Sequence, residues 1–325
     1  NVNAINCKPA DNRKPTSQEV ACCRARVIQV ITERNPRLII LVGGTAIQSI
    51  IGHVWKKDLG GVSKWRGWQI PDRTFNAWMC PIFHPSYVEK SDSEVKTIWV
   101  EDLKQALRLW EEPVPGAQDE SKQIELLDRS DDIARVITNL GMGPLGDEPS
   151  LVAFDYETTG LKPHDTKNHK IACVAFCDSP NRAYSFRMPK SKKVQRLLKG
   201  LLQDERIGKI AHNIKFEHCW TMNILKYEIK GWAYDSMLGT HVLDNRPGVT
   251  GLKFQTYVNF GVASYDDEVG PYLRGSDSKN SNSTNRVLEF MDGPEGERKM
   301  LTYCGMDSLF TYRLALEQMG RLRLL

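Results

Sequence analysis

In the first third of the chain, short apolar runs alternate with amphipathic stretches. The segment 37–42 follows Pro36, is continuously apolar after Arg37 and ends at a pair of glycines. Such a run is typical of a buried parallel strand. The other elements expected here are helices at 21–32, 45–51 and 100–111 and a short strand at 79–83. The pattern therefore predicts a small α/β domain.

The pattern changes after residues 113–123, whose proline, glycine and charged residues are typical of a linker. Beyond the linker, strands are expected at 124–127, 151–155, 170–176, 183–188 and 208–211, and helices at 131–140, 193–202, 213–225 and 297–319. Residues 270–283, rich in Ser, Asn, Asp and Gly, predict a mobile loop. Three strands in succession followed by helices indicate a mixed α/β sheet. We therefore predict two α/β domains, at residues 1–112 and 124–325.

Composition narrows the class of protein only a little. With 325 residues, 41% of them hydrophobic and 26% charged, the chain suits a soluble globular protein with two cores. No apolar run approaches the roughly 18–20 residues of a membrane span, and no secretory leader is present, so we expect the cytoplasm of a bacterium or of a phage-infected cell. The net charge of +4 lies in residues 1–112, with 16 Lys and Arg against 12 Asp and Glu, since the remainder has 28 of each. Eight scattered cysteines do not form a disulfide framework.

Two carboxylates follow the apolar strand that begins at residue 151. Asp155 and Glu157 are two positions apart, so their side chains share one face of a strand. Adjacent carboxylates repel each other unless a cation lies between them, and hard oxygen ligands suit Mg²⁺ or Mn²⁺. Taken alone, such a pair is more often a solvated strand end.

Two further acidic positions lie on predicted helices. Asn213 is expected to cap the helix that follows it, with Glu217 one turn further along. Tyr303 and Asp307 are spaced i to i+4, which places the phenol and the carboxylate on one helix face. Taken alone, Glu217 is better explained as a surface residue of a helix. The second pair, taken alone, is equally well explained as a half-buried Tyr303 beside a surface Asp307.

Taken together, in this order, the three elements resemble the DEDD exonuclease superfamily in its tyrosine-containing branch, as found in the proofreading domain of family A DNA polymerases. The resemblance covers residues 121–325 and extends to the segments WAYDSML at 232–238 and GLKF at 251–254. One position departs from the family pattern: Glu217 stands where the family usually has Asp. The carboxylate is retained on a stem that is longer by one methylene group.

This resemblance implies a ribonuclease H-like fold and two Mg²⁺ or Mn²⁺ ions held by the four carboxylates, with Tyr303 orienting the attacking water. It implies DNA as the partner, preferentially single-stranded or frayed 3′ ends. The residues that it suggests for gripping the terminal nucleotides are Thr158, Thr159, Leu161, His212, Asn213 and Phe216. For Leu161 and Phe216 a place in the hydrophobic core is an equally good interpretation.

The first domain resembles a family 4 uracil-DNA glycosylase. The resemblance rests on Cys7 and the segment to Pro15, Cys23, the run 36–46, Trp65-Arg-Gly67 and His84-Pro-Ser-Tyr87. It implies a partial α/β/α domain in which Cys7 and Cys23 would supply two of four ligands to a [4Fe–4S] cluster. Cys22 is an alternative ligand, and two ordinary buried cysteines are an alternative interpretation. The missing ligands and the water-activating motif are expected upstream of Asn1.

The same resemblance suggests that His84 and Ser86 contact DNA, a contact that glycosylases need because their target bond is hidden in the base stack. Trp65, Arg66 and Trp68 either face DNA or pack inside the domain. Sequence alone leaves both interpretations open.

The leading hypothesis is the proofreading part of a family A DNA polymerase, with a polymerase domain expected after Leu325 and the whole chain a piece of a longer protein. One alternative is a stand-alone DNA-repair or RNA-processing 3′–5′ exonuclease. Others are uracil excision by the first domain, or a non-catalytic DNA-binding role for it.

Overall fold

The structure, a computed structural model, describes residues 1–142, 150–277, 279–280 and 282–324. Its contacts group the chain into two units. Unit 1 comprises Asn1–Ala117 and Arg246–Ser264, and unit 2 comprises Gln118–Asn245 and Tyr265–Leu325. The predicted domain boundaries stay a prediction, but the segment Arg246–Ser264, assigned from the sequence to the second domain, contributes its contacts to unit 1.

Unit 1 is built around a three-stranded sheet in the order β1-β3-β2, with β1 parallel to β3 and β2 antiparallel to it. Its elements are α1 Ser17–Arg34, β1 Leu38–Val42, α2 Gly43–Val54, α3 Val62–Trp65, β2 Ile70–Asp72, β3 Ala77–Ile82, α4 Pro85–Glu89 and α5 Ser93–Arg108. The parallel pairing predicted for β1 is confirmed. Its continuous burial is not, since only Leu38 and Leu41 are buried, because β1 lies at the edge of the sheet.

The core of unit 1 is aromatic and includes residues from Arg246–Ser264. Helix Leu252–Phe260 places Phe254 and Tyr257 against Trp55 and Trp65, with ring centroids 5.0 to 6.0 Å apart. All four side chains are at most 5% exposed. Edge-to-face and stacked ring pairs of this kind add to the free energy gained by burying apolar surface. The segment therefore completes this core.

Unit 2 contains a six-stranded mixed sheet in the order β4-β7-β6-β5-β8-β9. Its strands are β4 Ile124–Leu126, β5 Ser150–Thr158, β6 Ile171–Ser179, β7 Arg182–Arg187, β8 Ile207–Ala211 and β9 Trp232–Asp235. Its helices are α6 Ser130–Met142, α7 Lys192–Gln203, α8 Ile214–Trp220, α9 Ser236–Leu243, α11 Gly270–Leu273, α12 Val287–Asp292 and α13 Gly296–Arg321, the helix Leu252–Phe260 of unit 1 being α10. The predicted mixed α/β sheet is confirmed.

Several elements of unit 2 differ from the sequence expectation, and helices α9 and α12 are among those that were not predicted. β9 is a strand that the hydrophobic pattern did not reveal, and α11 occupies the start of the predicted mobile loop at 270–283. Positions 278 and 281 of that loop lie outside the described residues. None of the described helices is both long enough and apolar enough to cross a membrane.

The two faces of β5 serve different purposes because side chains alternate along a strand. Phe154 and Tyr156 point into the core formed with α6 and α7. The intervening residues face the side on which α13 packs across β5, β6 and β7. Gly305 lets α13 approach β4, since a Cβ there would overlap Ile124. The predicted carboxylates of β5 therefore face α13.

Candidate active site

Three carboxylates from β5 and α13 form one cluster. Asp155, Glu157 and Asp307 each present an oxygen that lies within 4.8 Å of the oxygens of the other two. Among the described residues, this is the one group of three or more acidic, histidine or cysteine side chains close enough to hold a metal ion. Glu157 and Asp307 are only 8% and 6% exposed, which makes their mutual repulsion costly without a cation.

Helix α13 is aligned with β5 by two hydrogen bonds one helical turn apart. Cys304 Sγ donates to the carbonyl of Asp155 at 3.5 Å, and Ser308 Oγ donates to the carbonyl of Ala153 at 3.2 Å. Tyr303 and Asp307 directly precede Cys304 and Ser308 in the chain. Both therefore lie on the helix face next to the one that makes these hydrogen bonds. This alignment brings Asp307 and Tyr303 to the acidic end of β5.

Glu217 reaches the site from α8, whose start is fixed by Asp235. The Asp235 carboxylate accepts hydrogen bonds from the backbone N–H groups of Asn213 and Ile214, both at 3.0 Å, and from that of Met237 at 2.9 Å. Asn213 lies in the left-handed region with φ of 78° and makes no side-chain cap. The prediction that Asn213 caps α8 is therefore wrong, because a carboxylate from β9 takes that role.

The Glu217 carboxylate is the most deeply buried of the four predicted carboxylates. It is 2% exposed, and its Oε2 atom is buried without a hydrogen-bond partner. Burial raises its pKa well above the usual range, and the nearby carboxylates of Asp155 and Asp235 raise it further. A buried acceptor beside another carboxylate suits a divalent cation, which would supply the missing partner and the opposite charge. The donor set thus fits metal ions, although Glu217 is not part of the three-carboxylate cluster.

Tyr303 lies beside the cluster as a neutral phenol. Burial raises its pKa well above the usual range, and the carboxylates of Asp307 and Glu157 raise it further. The hydroxyl therefore keeps its proton and can donate a hydrogen bond at the site.

Sequence reasoning missed Tyr265. Its hydroxyl donates to Asp307 Oδ1 at 2.5 Å, and its ring lies 5.9 Å from that of Tyr303 and 5.4 Å from that of Phe310. Tyr265 stands outside the three motifs and directly follows the segment that belongs to unit 1. No spacing or periodicity in the sequence points to it.

The turn after β5 is held from within by its own threonines. Thr158 Oγ1 donates to the carbonyl of Gly160 at 2.8 Å, and Thr159 Oγ1 accepts from the backbone N–H of Lys170 at 2.8 Å. Both threonines are buried, whereas Leu161 is 62% exposed. Of the two interpretations of Leu161, the core one is therefore excluded, while nucleotide binding by these three residues stays a prediction.

Two further substrate candidates flank α8. His212 Nδ1 lies 2.9 Å from Ser236 Oγ, which fixes the imidazole ring. Phe216 is half-buried and packs against the main core of unit 2 beside Trp220, with ring centroids 5.9 Å apart. Phe216 is therefore at least partly a packing residue. Contact of His212, Asn213 and Phe216 with substrate stays a prediction.

In unit 1, the candidate DNA-contacting residues His84 and Ser86 contact each other within one short turn. His84 caps the short helix α4, with Nδ1 2.7 Å from Ser86 Oγ, and both residues are exposed. His84 also lines a cleft of about 1250 Å³ together with residues 1–9, 36 and 38–46. Cys7 is exposed and Cys23 is half-buried, both as free thiols, so the interpretation of both as ordinary buried cysteines does not fit. DNA contact and cluster ligation by these residues stay predictions.

The tryptophan segment of unit 1 is mostly packed. Trp65 is fully buried, and Arg66 Nη1 pairs with Asp102 Oδ1 at 3.0 Å. Trp68 is half-buried, with its indole N–H donating to the carbonyl of Lys64 at 3.1 Å. These contacts favour packing over a DNA-facing role for Trp65.

Two protein families match different parts of the chain. Residues 124–320 match the 3′–5′ exonuclease family DNA_pol_A_exo1, and residues 1–107 match the uracil DNA glycosylase superfamily. A type-4 uracil-DNA glycosylase of Thermotoga maritima is 34% identical over 105 residues, which are 32% of this chain and 52% of that protein. The chain thus spans about half the length of this curated relative.

Solved structures to which the chain is similar include NrnC of Brucella melitensis bound to pGG and Escherichia coli RNase D, an exoribonuclease involved in structured RNA processing. NrnC is 16% identical with a TM-score of 0.39, covering 62% of this chain and 81% of that chain. RNase D is 14% identical with a TM-score of 0.40, covering 62% and 45%. With the family match over more than half of its length, the chain belongs to the 3′–5′ exonuclease family and carries a uracil-DNA glycosylase superfamily domain at its start.

Proposed function

We propose that unit 2 hydrolyses the terminal phosphodiester at DNA 3′ ends with Mg²⁺ or Mn²⁺, as the proofreading part of a family A DNA polymerase. The observation that carries the proposal is the convergence of Asp155, Glu157 and Asp307 with the buried, unpartnered oxygen of Glu217 beside them. A cluster of three carboxylates with a fourth, buried carboxylate near Asp155 is suited to two divalent ions. A cytoplasmic setting stays a prediction from the sequence.

Each residue has a distinct part in this proposal. Asp155, Glu157 and Asp307 would hold one ion, and Asp155 with Glu217 a second. Divalent ions at such a site polarise the phosphodiester and stabilise the charge on the attacking and leaving oxygens. The neutral Tyr303 hydroxyl orients the attacking water by hydrogen bonding. Glu157, Glu217 and Asp307 are at most 8% exposed, and electrostatic interactions are stronger at such buried positions than in water.

The domain at residues 1–107 supports DNA rather than RNA as the substrate. Its superfamily is named for uracil in DNA, so both parts of the chain are consistent with one class of nucleic acid. The alternative of a stand-alone DNA-repair or RNA-processing exonuclease predicts comparable trimming without a primer-template. Uracil excision, a [4Fe–4S] cluster at Cys7 and Cys23, and a purely DNA-binding role remain further hypotheses for unit 1.

The finer proposal is tested with three 5′-labelled substrates of equal length: a primer-template with a mismatched 3′ end, the matched primer-template and single-stranded RNA. We expect fast removal of the mismatched nucleotide, slower removal of the matched one and the slowest trimming of RNA. The unwinding cost of the paired end explains the first difference. Faster trimming of RNA than of either DNA would contradict the proposal and favour the RNA-processing alternative.

A further inference from the structure

Tyr265 lies against a single face of α13. It contacts Tyr303, Asp307 and Phe310, which are spaced i, i+4 and i+7 and therefore form one stripe along the helix. Two of the contacts are between rings, and the third is the hydrogen bond from the Tyr265 hydroxyl to Asp307 Oδ1. The ring contacts fix where the hydroxyl lies, so the hydrogen bond is directed by packing.

The orientation of the Asp307 carboxylate matters for the cluster. The terminal torsion of an aspartate is broad, so the plane of its carboxylate is poorly defined by rotamer preference alone. The hydroxyl of Tyr265 at 2.5 Å defines that plane. In this orientation Asp307 presents an oxygen within 4.8 Å of those of Asp155 and Glu157.

We propose that Tyr265 is a positioning residue of the metal centre, whose hydroxyl orients the Asp307 carboxylate for metal binding. This inference rests on the proposed function, because it takes Asp307 as a metal ligand. Groups that hydrogen-bond to metal ligands fix the geometry of the ligand, and their loss typically costs about 10- to 100-fold in metal affinity or activity. Tyr265 thereby adds a second tyrosine with a separate role, since Tyr303 acts on water.

The test removes the hydroxyl and keeps the ring. Tyr265→Phe retains the packing against Tyr303 and Phe310 but cannot donate to Asp307. Tyr312→Phe is the control, because it also removes the hydroxyl of a largely buried tyrosine: Tyr312 lies on the same helix as Tyr303 and has the same 8% exposure. Mn²⁺ binding to the full chain is measured without nucleic acid, by electron paramagnetic resonance of free Mn²⁺, and the half-saturating Mn²⁺ concentration is measured in the exonuclease assay.

We expect Tyr265→Phe to raise the dissociation constant for Mn²⁺ by about 10-fold. Trimming should recover at high Mn²⁺ with an unchanged KM for the oligonucleotide, and Tyr312→Phe should match the wild type in both measurements. An unchanged Mn²⁺ affinity in Tyr265→Phe would overturn the inference, even if the variant were less thermally stable than the wild type. If Tyr265→Phe weakens Mn²⁺ binding but the wild type does not shorten DNA, the proposed function fails and the positioning role stands.

Discussion

The two units differ in how their candidate residues are arranged. In unit 2, residues that are far apart in the sequence meet at the end of β5, where three carboxylates approach within 4.8 Å and Glu217 is buried beside Asp155. In unit 1, His84 and Ser86 contact each other across two positions of one turn and are exposed. Family resemblance thus identifies both folds, but only in unit 2 do the described residues converge into a chemical site.

The cores of the two units differ in the opposite way. The main core of unit 2 is formed mostly by strands and helices whose positions the hydrophobic pattern predicted. The core of unit 1, in contrast, depends on Phe254 and Tyr257, which come from a distant part of the chain. A site is specified by a few residues, and a core by many. The site of unit 2 therefore tests predictions made from motifs, and the core of unit 1 tests predictions made from the hydrophobic pattern.

The largest expected effect is that of Asp155→Asn on unit 2. This change removes one negative charge from the cluster while keeping the shape of the side chain. Metal ions contribute several kcal/mol of charge stabilisation in such reactions, and about 4 kcal/mol corresponds to a rate loss of about 10³-fold. Single-turnover trimming of a labelled DNA strand measures the loss. The exposed Asp128, changed to Asn in the same way, should leave the rate unchanged.

The next effect concerns the core of unit 1. Phe254 is 3% exposed and contacts Trp55, Trp65 and Trp68. Phe254→Ala should lower the free energy of unfolding by about 3–5 kcal/mol, because it leaves a cavity among these rings. Hydrogen exchange read by mass spectrometry should show faster exchange in β1 and β3. Unchanged exchange there would mean that the segment Arg246–Ser264 is not part of this core.

A smaller effect is expected at the turn behind the exonuclease site. A Cβ at Gly160 would overlap the imidazole of His169, which is 1% exposed and held by the carbonyl of Asn282 at 3.0 Å. Gly160→Ala should therefore cost about 1–3 kcal/mol by overpacking. Gly200 in α7 has nothing within 4 Å of an added Cβ, so Gly200→Ala should be neutral or stabilising. Thermal unfolding of both variants measures the difference, and equal melting temperatures would contradict it.

The last expected effect is a dependence of stability on pH. Lys209 in β8 is 1% exposed, with Nζ donating to the carbonyls of Ile207 and Asp204. Burial lowers its pKa from 10.5 to about 8. The unfolded chain then binds more protons between these two values, so the free energy of unfolding rises as the pH increases from about 8 to 10.5. Denaturant unfolding should show this rise, and Lys209→Met should reduce it; an equal rise in both proteins would show that other groups cause it.

Much of this structure could be predicted from the sequence, for identifiable reasons. Asp155 and Glu157 were predictable as a pair because strand alternation is local, and Tyr303 and Asp307 because helical spacing is local. The capping of α8 was not predictable, because the capping carboxylate of Asp235 comes from β9, which is a separate element of the sheet. Tyr265 and the place of Arg246–Ser264 were not either, since both depend on tertiary packing that leaves no periodic signal.

The central claim is that unit 2 is a metal-dependent 3′–5′ exonuclease, and one pair of labelled substrates tests it directly. The same single-stranded DNA is labelled at its 5′ end or at its 3′ end and incubated with the full chain, with Mg²⁺ or with excess EDTA. We expect stepwise shortening of the 5′-labelled strand, immediate release of the 3′ label as a mononucleotide, and no reaction in EDTA. Internal cleavage, release of the 5′ label first, or undiminished activity in EDTA would contradict it.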